Sequence, residues 1–413
     1  MLAAGGGMLR AALVLALLVP SGLVACSGAD AGTSESTPDA SGSTADGASV
    51  ADGPSSEVAC GTDPTRLDLG DVTFFYPLPE VDADVAALIA LDAVGAGGAL
   101  LPARVLDVTL PLSRFESPPP GEVRVVAIRF DPCVPGGADA DDCRPQLRLV
   151  AQPMVTFAGQ PPTTIDAAIH LFYDLDPAAL ERVTAAVLAL KTIAGDTTFC
   201  QPLGPNPVLR AQGLRGAYAT ALAEMVLAEC GETTLTRAAV MQLSRSGSTW
   251  TFATVDVTPS AVTPFEIPLL GDATQQSITV SDTTTGEAHL GPEPAEGRLP
   301  LLLAPDWLAA AADADVRLAL AESLAIEDPT EEHAGTRDCV SCHISHRARA
   351  SALALRPLDL VATAASMPYD LTVLEATDVG LGSQRMLGYF GREPSLSPRV
   401  VRESADIAAF LGE

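Results

Sequence analysis

Val126-Ala127-Ile128-Arg129-Phe130 and Ile169-His170-Leu171-Phe172-Tyr173 decide how the bulk of this chain is read. In the first run Val126, Ile128 and Phe130 fall on one side. In the second, Ile169, Leu171 and Tyr173 do, and His170 points the other way. Alternation of this kind marks a strand with one buried face. The same period continues outward from these runs. Leu147 and Leu149 alternate with Gln146 and Arg148, and Leu106, Val108, Leu110 and Leu112 predict a further strand. Prolines punctuate the intervals. Residues 250–257 and 277–281 read as later strands. Two helices are predicted among them. Asp176 is placed to cap one, with Pro177 at its first position and Leu180, Val183, Val187 and Leu190 on one face. The other covers about 214–229, with Leu222, Met225 and Val226 as its core residues. The expectation is an α+β fold: a sheet-rich domain with inserted helices over residues 59–305, followed by a small, mostly α-helical domain over 306–413.

The chain has 413 residues, 24 Lys and Arg against 52 Asp and Glu, and a formal charge of −28. That excess of acid is a poor match for nucleic acid or an anionic membrane face. With 47% hydrophobic and 18% charged residues, the chain as a whole is not of disordered composition. The middle of the chain carries no nucleophile elbow, phosphate-binding glycine loop or metalloprotease helix motif. His170 alone on a strand reads there as structural.

At the N-terminus Arg10 precedes an apolar run over 11–19, broken by Pro20, Ser21 and Gly22. The run is too short to span a bilayer, which takes roughly 20 apolar residues, but it has the layout of an export signal. Leu23-Val24-Ala25-Cys26 closes it. Here the sequence resembles a bacterial lipoprotein signal, which implies cleavage after residue 25 and lipidation of Cys26. Ser27 beside that cysteine leans to the outer membrane. Residues 26–58 are Ser, Thr, Ala, Gly and Asp with almost nothing large, which predicts a flexible tether. The expected location is the cell envelope, with the membrane reached through the lipid alone.

Export permits disulfides. Cys133 and Cys143 flank a Pro/Gly/Asp loop and are candidates for one bridge. Cys200 and Cys230 are candidates for a second, and Cys60 is left over, although other pairings remain open.

One motif carries chemistry. Cys339-Val340-Ser341-Cys342-His343 is the attachment pattern for c-type haem: two thiols for thioether bonds to the two vinyl groups, and an imidazole for the iron. A redox dithiol and a zinc site drawing on His333 and His346 are the alternatives. The last 80 or so residues resemble a small mono-haem cytochrome c. That rests on Cys339, Cys342, His343 and a closing helix capped by Ser397 and started by Pro398, with Val400, Ser404, Ile407 and Leu411 on one face. The resemblance implies haem c as cofactor and His343 as proximal ligand. It puts Phe410 near the haem edge and offers Met386 first, then Met367, then His333 as distal ligand. The chain departs from the family before the motif. The helix-like run over 306–325 ends early, and Pro329 and Gly335 break the approach. The implied role is one-electron transfer without catalysis of its own, with a redox partner protein that is basic if docking is electrostatic. The rival readings are a haem sensor or peroxidase-like protein with an open iron site, and a structural or binding lipoprotein whose CxxC is disulfide-bonded or holds zinc.

Overall fold

The computed structural model of the chain describes residues 67–113, 122–134, 144–195, 203–244, 247–282, 285–333, 335–358 and 386–412. Its central element is an antiparallel sheet whose main path follows chain order: β1 (Thr73–Phe75), β2 (Val123–Asp131), β3 (Gln146–Val155), β4 (Ala167–Asp174), β5 (Leu235–Leu243), β6 (Thr249–Val257), β7 (Gln275–Asp282) and β8 (Glu287–Gly291). Short strands Thr163–Thr164 and Val262–Pro264 pair with β3 and β6 and bring the sheet to ten strands. The alternation in the sequence is the cause. Leu147, Leu149, Leu171, Tyr173 and Val255 lie buried on one face, where each such side chain contributes about 1.5–3 kcal/mol by leaving water.

That face is covered by helices α1 (Ala103–Ser113), α2 (Pro177–Ala194) and α3 (Ala217–Glu229). As predicted, Asp176 caps α2, its Oδ1 accepting from the Ala179 N–H at 2.7 Å, and Pro177 opens the helix. Val183, Val187 and Leu190 then pack with Leu222 and Val226 of α3 into the core under the sheet. Two sequence expectations are corrected, and one strand was not expected. Residues 106–112 are helix, not strand. The alternation of Leu106, Val108, Leu110 and Leu112 is a strand pattern, but burial follows the helical period: Val105 and Thr109, four apart, are both enclosed, with Thr109 Oγ1 donating to Val105 O at 2.9 Å. The run over 306–325 divides into Pro305–Ala310 and α4 (Asp313–Glu327). Strand β5, Leu235-Thr-Arg-Ala-Ala-Val-Met-Gln-Leu243, alternates too weakly to be read in advance.

The C-terminal part is not a separate body. All described residues belong to one compact unit, Ser55–Glu413, and both cores run across the expected boundary at residue 305. Trp250, Phe252 and Ile278 of the sheet pack with Val340, Ile344 and Ala348 of α5 (Cys339–Leu355). A hairpin, β9 (Leu387–Phe390) and β10 (Glu393–Leu396), is pinned to the sheet through Tyr389. Its N–H donates to Gln152 Oε1 at 2.6 Å, and its hydroxyl donates to Tyr76 O at 2.6 Å. The last helix, α6 (Pro398–Gly412), begins where Pro398 predicted. It returns to the first strand, with Ser404 Oγ and Thr73 Oγ1 2.7 Å apart. Among the described residues no helix is long and apolar enough to cross a membrane.

Candidate cofactor site

The second face of the sheet is where the chemistry lies. Register sets Arg129, Arg148, Phe172, Arg237 and Asp256 in one row across β2 to β6, and Val150, His170, Ala239 and Thr254 in the next. Over these rows sits the start of α5. Asp338 caps that helix, its Oδ2 accepting from the Ser341 N–H at 3.0 Å. The same oxygen accepts from Gln276 Nε2 at 2.6 Å, and Gln276 Oε1 accepts from the Val340 N–H at 2.8 Å. Asp338 and Gln276 are fully buried. The clamp thus fixes the first turn of α5 to β7.

Once the helix is fixed, spacing does the rest. Cys339, Cys342 and His343 stand at i, i+3 and i+4, on one helix face, and all three line a cavity of about 1480 Å³ between α5, the sheet and α6. Cys339 hydrogen-bonds Thr254 on β6. The His343 ring lies 4.9 Å from that of Phe252 on β6 and 6.4 Å from that of His170 on β4, centre to centre. Met241, Phe172, Leu387, Val400, Ile407 and Phe410 give the cavity apolar wall.

Both motif cysteines are free. Burial pushes the Cys339 thiol up to about 12, helped by Cys342 and Asp338. Burial likewise pushes Cys342 up to about 11, with Asp338 and Glu403 adding to it and Arg399 and Arg337 opposing. A redox dithiol needs the reverse, a thiolate stabilised near neutral pH. The disulfide alternative is not formed. Among the described residues, no group of three or more His, Cys, Asp or Glu is arranged to hold a metal ion, so the zinc set of Cys339, Cys342, His343, His346 and His333 is not assembled. His346 turns instead toward Arg349 and Glu327.

For a protein of charge −28, the cavity is rich in arginine. Arg129 pairs with Glu403 of α6, which Arg399 also meets at 3.1 Å. Arg337 bridges Glu322 at 3.1 Å and Glu332 at 2.9 Å. Arg237 pairs with Asp256 at 2.8 Å and lies over the Phe265 ring. The Nε atoms of Arg129 and Arg337 are buried and have no hydrogen-bond partner. Burial alone would raise the Glu403 carboxyl. The guanidiniums of Arg129, Arg399 and Arg148 outweigh it and bring the group down to about 2.

The other candidates divide. Met386 and His333 line the cavity, and His333 Nδ1 accepts from the Gly335 N–H at 3.0 Å. Met367, Cys26, Cys60, Cys143 and Cys200 lie outside the described residues. Cys133 is disulfide-bonded. Cys230 is not: it is a free thiol sealed in the core at the C-cap of α3, its pKa raised well above 9.0 by burial and then by Glu229. The expected bridge to Cys200 is corrected on that ground. Sequence reasoning missed His170 and the arginine row as parts of a site. Alternation did put both on the face away from the helices, but what faces them is supplied by distant segments. No protein family matches this chain, and no curated protein or solved structure matches it either.

Proposed function

We propose that this protein is an exported c-type cytochrome that carries single electrons, anchored in the cell envelope by lipid on Cys26, with the outer membrane favoured. The observation that carries the reading is the convergence of Cys339, Cys342 and His343 on one wall of a large cavity. Small-molecule pockets usually run to about 300–1,000 Å³, and this one is larger, with apolar walls and a cationic margin. The donor set fits haem c on both counts. Two thiols and an imidazole face in together, and Arg129 and Arg337 retain unused buried N–H groups for carboxylates.

In this reading Cys339 and Cys342 would hold the haem through thioether bonds, the addition of each S–H across a vinyl group requiring no oxidant. His343 supplies the proximal nitrogen. The bound group provides reversible one-electron chemistry at iron. Phe252 and Met241 exclude water from one side of the cavity. Arg129 and Arg337, which line the cavity, would pair with the propionate carboxylates. Phe410, on α6 at the cavity rim, stands half-exposed. It marks the face on which a redox partner, basic to complement the charge of −28, would dock.

The test is a pyridine haemochrome spectrum of full-length protein produced with a haem c maturation system. An α band typical of two thioether bonds, lost in the Cys339→Ala/Cys342→Ala double variant, supports the reading. Absence of covalent haem under conditions that load a control cytochrome overturns it.

A further inference from the structure

We infer that His170 is the second axial ligand of the iron, making the centre a closed bis-histidine haem. The inference rests on the haem c reading above. A metal–imidazole nitrogen bond is about 2.0–2.1 Å, and a ring centre lies about 1 Å behind its nitrogen, so two imidazoles sharing one metal have centres about 6 Å apart. The His170 and His343 rings are 6.4 Å apart, inclined at 63°. The separation of the two rings thus matches the span that one shared iron requires.

The two rings come from opposite walls. His343 descends from the first turn of α5, whose start Asp338 and Gln276 hold to the sheet. His170 rises from β4, an interior strand paired on both sides, at the position aligned with Val150 on β3 and Ala239 on β5. Those neighbours are apolar and, in Ala239, small. A ligand on an interior strand is held more rigidly than one on a loop. Met386, the candidate that the cytochrome c resemblance favours, also lines the cavity, but it sits at the entry to β9. Two histidines set a lower reduction potential than a histidine and a methionine, and they leave no open iron position for peroxidase-like chemistry.

The experiment uses the full-length protein loaded with haem c in its wild-type form and as His170→Ala, His170→Met and Met386→Leu. The pyridine haemochrome, which replaces the axial ligands, reports haem attachment in each independently of them. The expected result is a low-spin six-coordinate ferric spectrum with bis-imidazole electron paramagnetic resonance in wild type and in Met386→Leu. Loss of that signal is expected in His170→Ala, with recovery on adding free imidazole. The potential of His170→Met is expected to lie above that of wild type. Imidazole rescue shows that the alanine variant has kept its fold. A methionine charge-transfer band in wild type, abolished by Met386→Leu and untouched by His170→Ala, overturns the assignment while leaving haem c intact. A wild-type protein with no haemochrome overturns both.

Discussion

Arg129 on the second strand and Glu403 on the last helix form a buried ion pair that joins the two ends of the fold across the cavity margin. Arg399, one helical turn before Glu403, approaches the same carboxylate at 3.1 Å. Removing one partner of a buried pair leaves an uncompensated charge, at a cost of about 3–5 kcal/mol. Glu403→Gln is therefore expected to destabilise the protein by that order at pH 7, measured by urea unfolding. The carboxyl is depressed from 4.5 to about 2 in the folded state. Its stabilisation is complete above the unfolded value and declines as pH falls from about 4.5 to about 2. The wild-type advantage over Glu403→Gln should shrink through that window. A difference that is constant with pH would refute the assignment.

Asp406, one turn further along α6, behaves in the opposite sense. Burial, reinforced by Asp328, raises its carboxyl from 3.8 to about 6. The folded state then holds a proton that the unfolded state has lost, so stability falls as pH rises from about 4 to about 6 and is flat above that. Asp406→Asn should raise the melting temperature at pH 7.5 and leave it nearly unchanged at pH 3.5.

The Gln276–Asp338 clamp is expected to govern the order of the motif. Gln276→Ala strips a donor from Asp338 Oδ2 and an acceptor from the Val340 N–H in a site closed to water. Asp338 Oδ2 keeps the Ser341 N–H, but the buried Val340 N–H is orphaned, at a cost of about 1–3 kcal/mol. The local signature is faster amide exchange at Val340 and Ser341. Unchanged protection there would show that the clamp does not hold the helix start.

Thiol chemistry separates the cysteines. In protein prepared without haem, Cys230, Cys339 and Cys342 should resist alkylation at pH 8 until denaturant is added, because burial raises all three. Peptide mapping without reduction should recover Cys133 in a disulfide and Cys230 as a thiol. A Cys200–Cys230 cross-link would contradict the buried free thiol.

The lipid address is tested by Cys26→Ala. The expected outcome is release of the protein from the membrane fraction with its fold unchanged, since residue 26 lies outside the compact unit that begins at Ser55. Retention in the membrane fraction would show a second means of attachment.

What was legible in the sequence was whatever local chemistry enforces. The Asp176–Pro177 and Ser397–Pro398 starts depend on residues that cap or begin a helix almost regardless of context. The strands through Ile128, Leu149, Leu171 and Trp250 depend on a clean period of two. The region 103–113 failed because its apolar residues alternate as in a strand, while the tertiary burial of Val105 and Thr109 follows a helix. The boundary at residue 305 failed because a change of secondary-structure type was read as a change of domain, whereas Trp250 and Ile344 share one core. The alternation puts His170 on the correct face, but its place in the cavity wall beside His343 is not legible there. Nothing near it in sequence is chemically active, and its neighbour in space arrives from α5.

The eight-strand path pairs each strand with the next along that path, and the longest intervals, 76–122 and 175–234, carry helices that pack locally, so the sheet can condense as the chain emerges. Helix α6 is the exception, since Ser404 meets Thr73 across 331 residues. A timetable follows from that asymmetry. The floor of the cavity is ready before its last wall arrives, and until α6 docks, Cys339, Cys342 and His343 stand on an open wall. Late closure of the chain ends is thus the step that turns an open groove into an enclosed cavity.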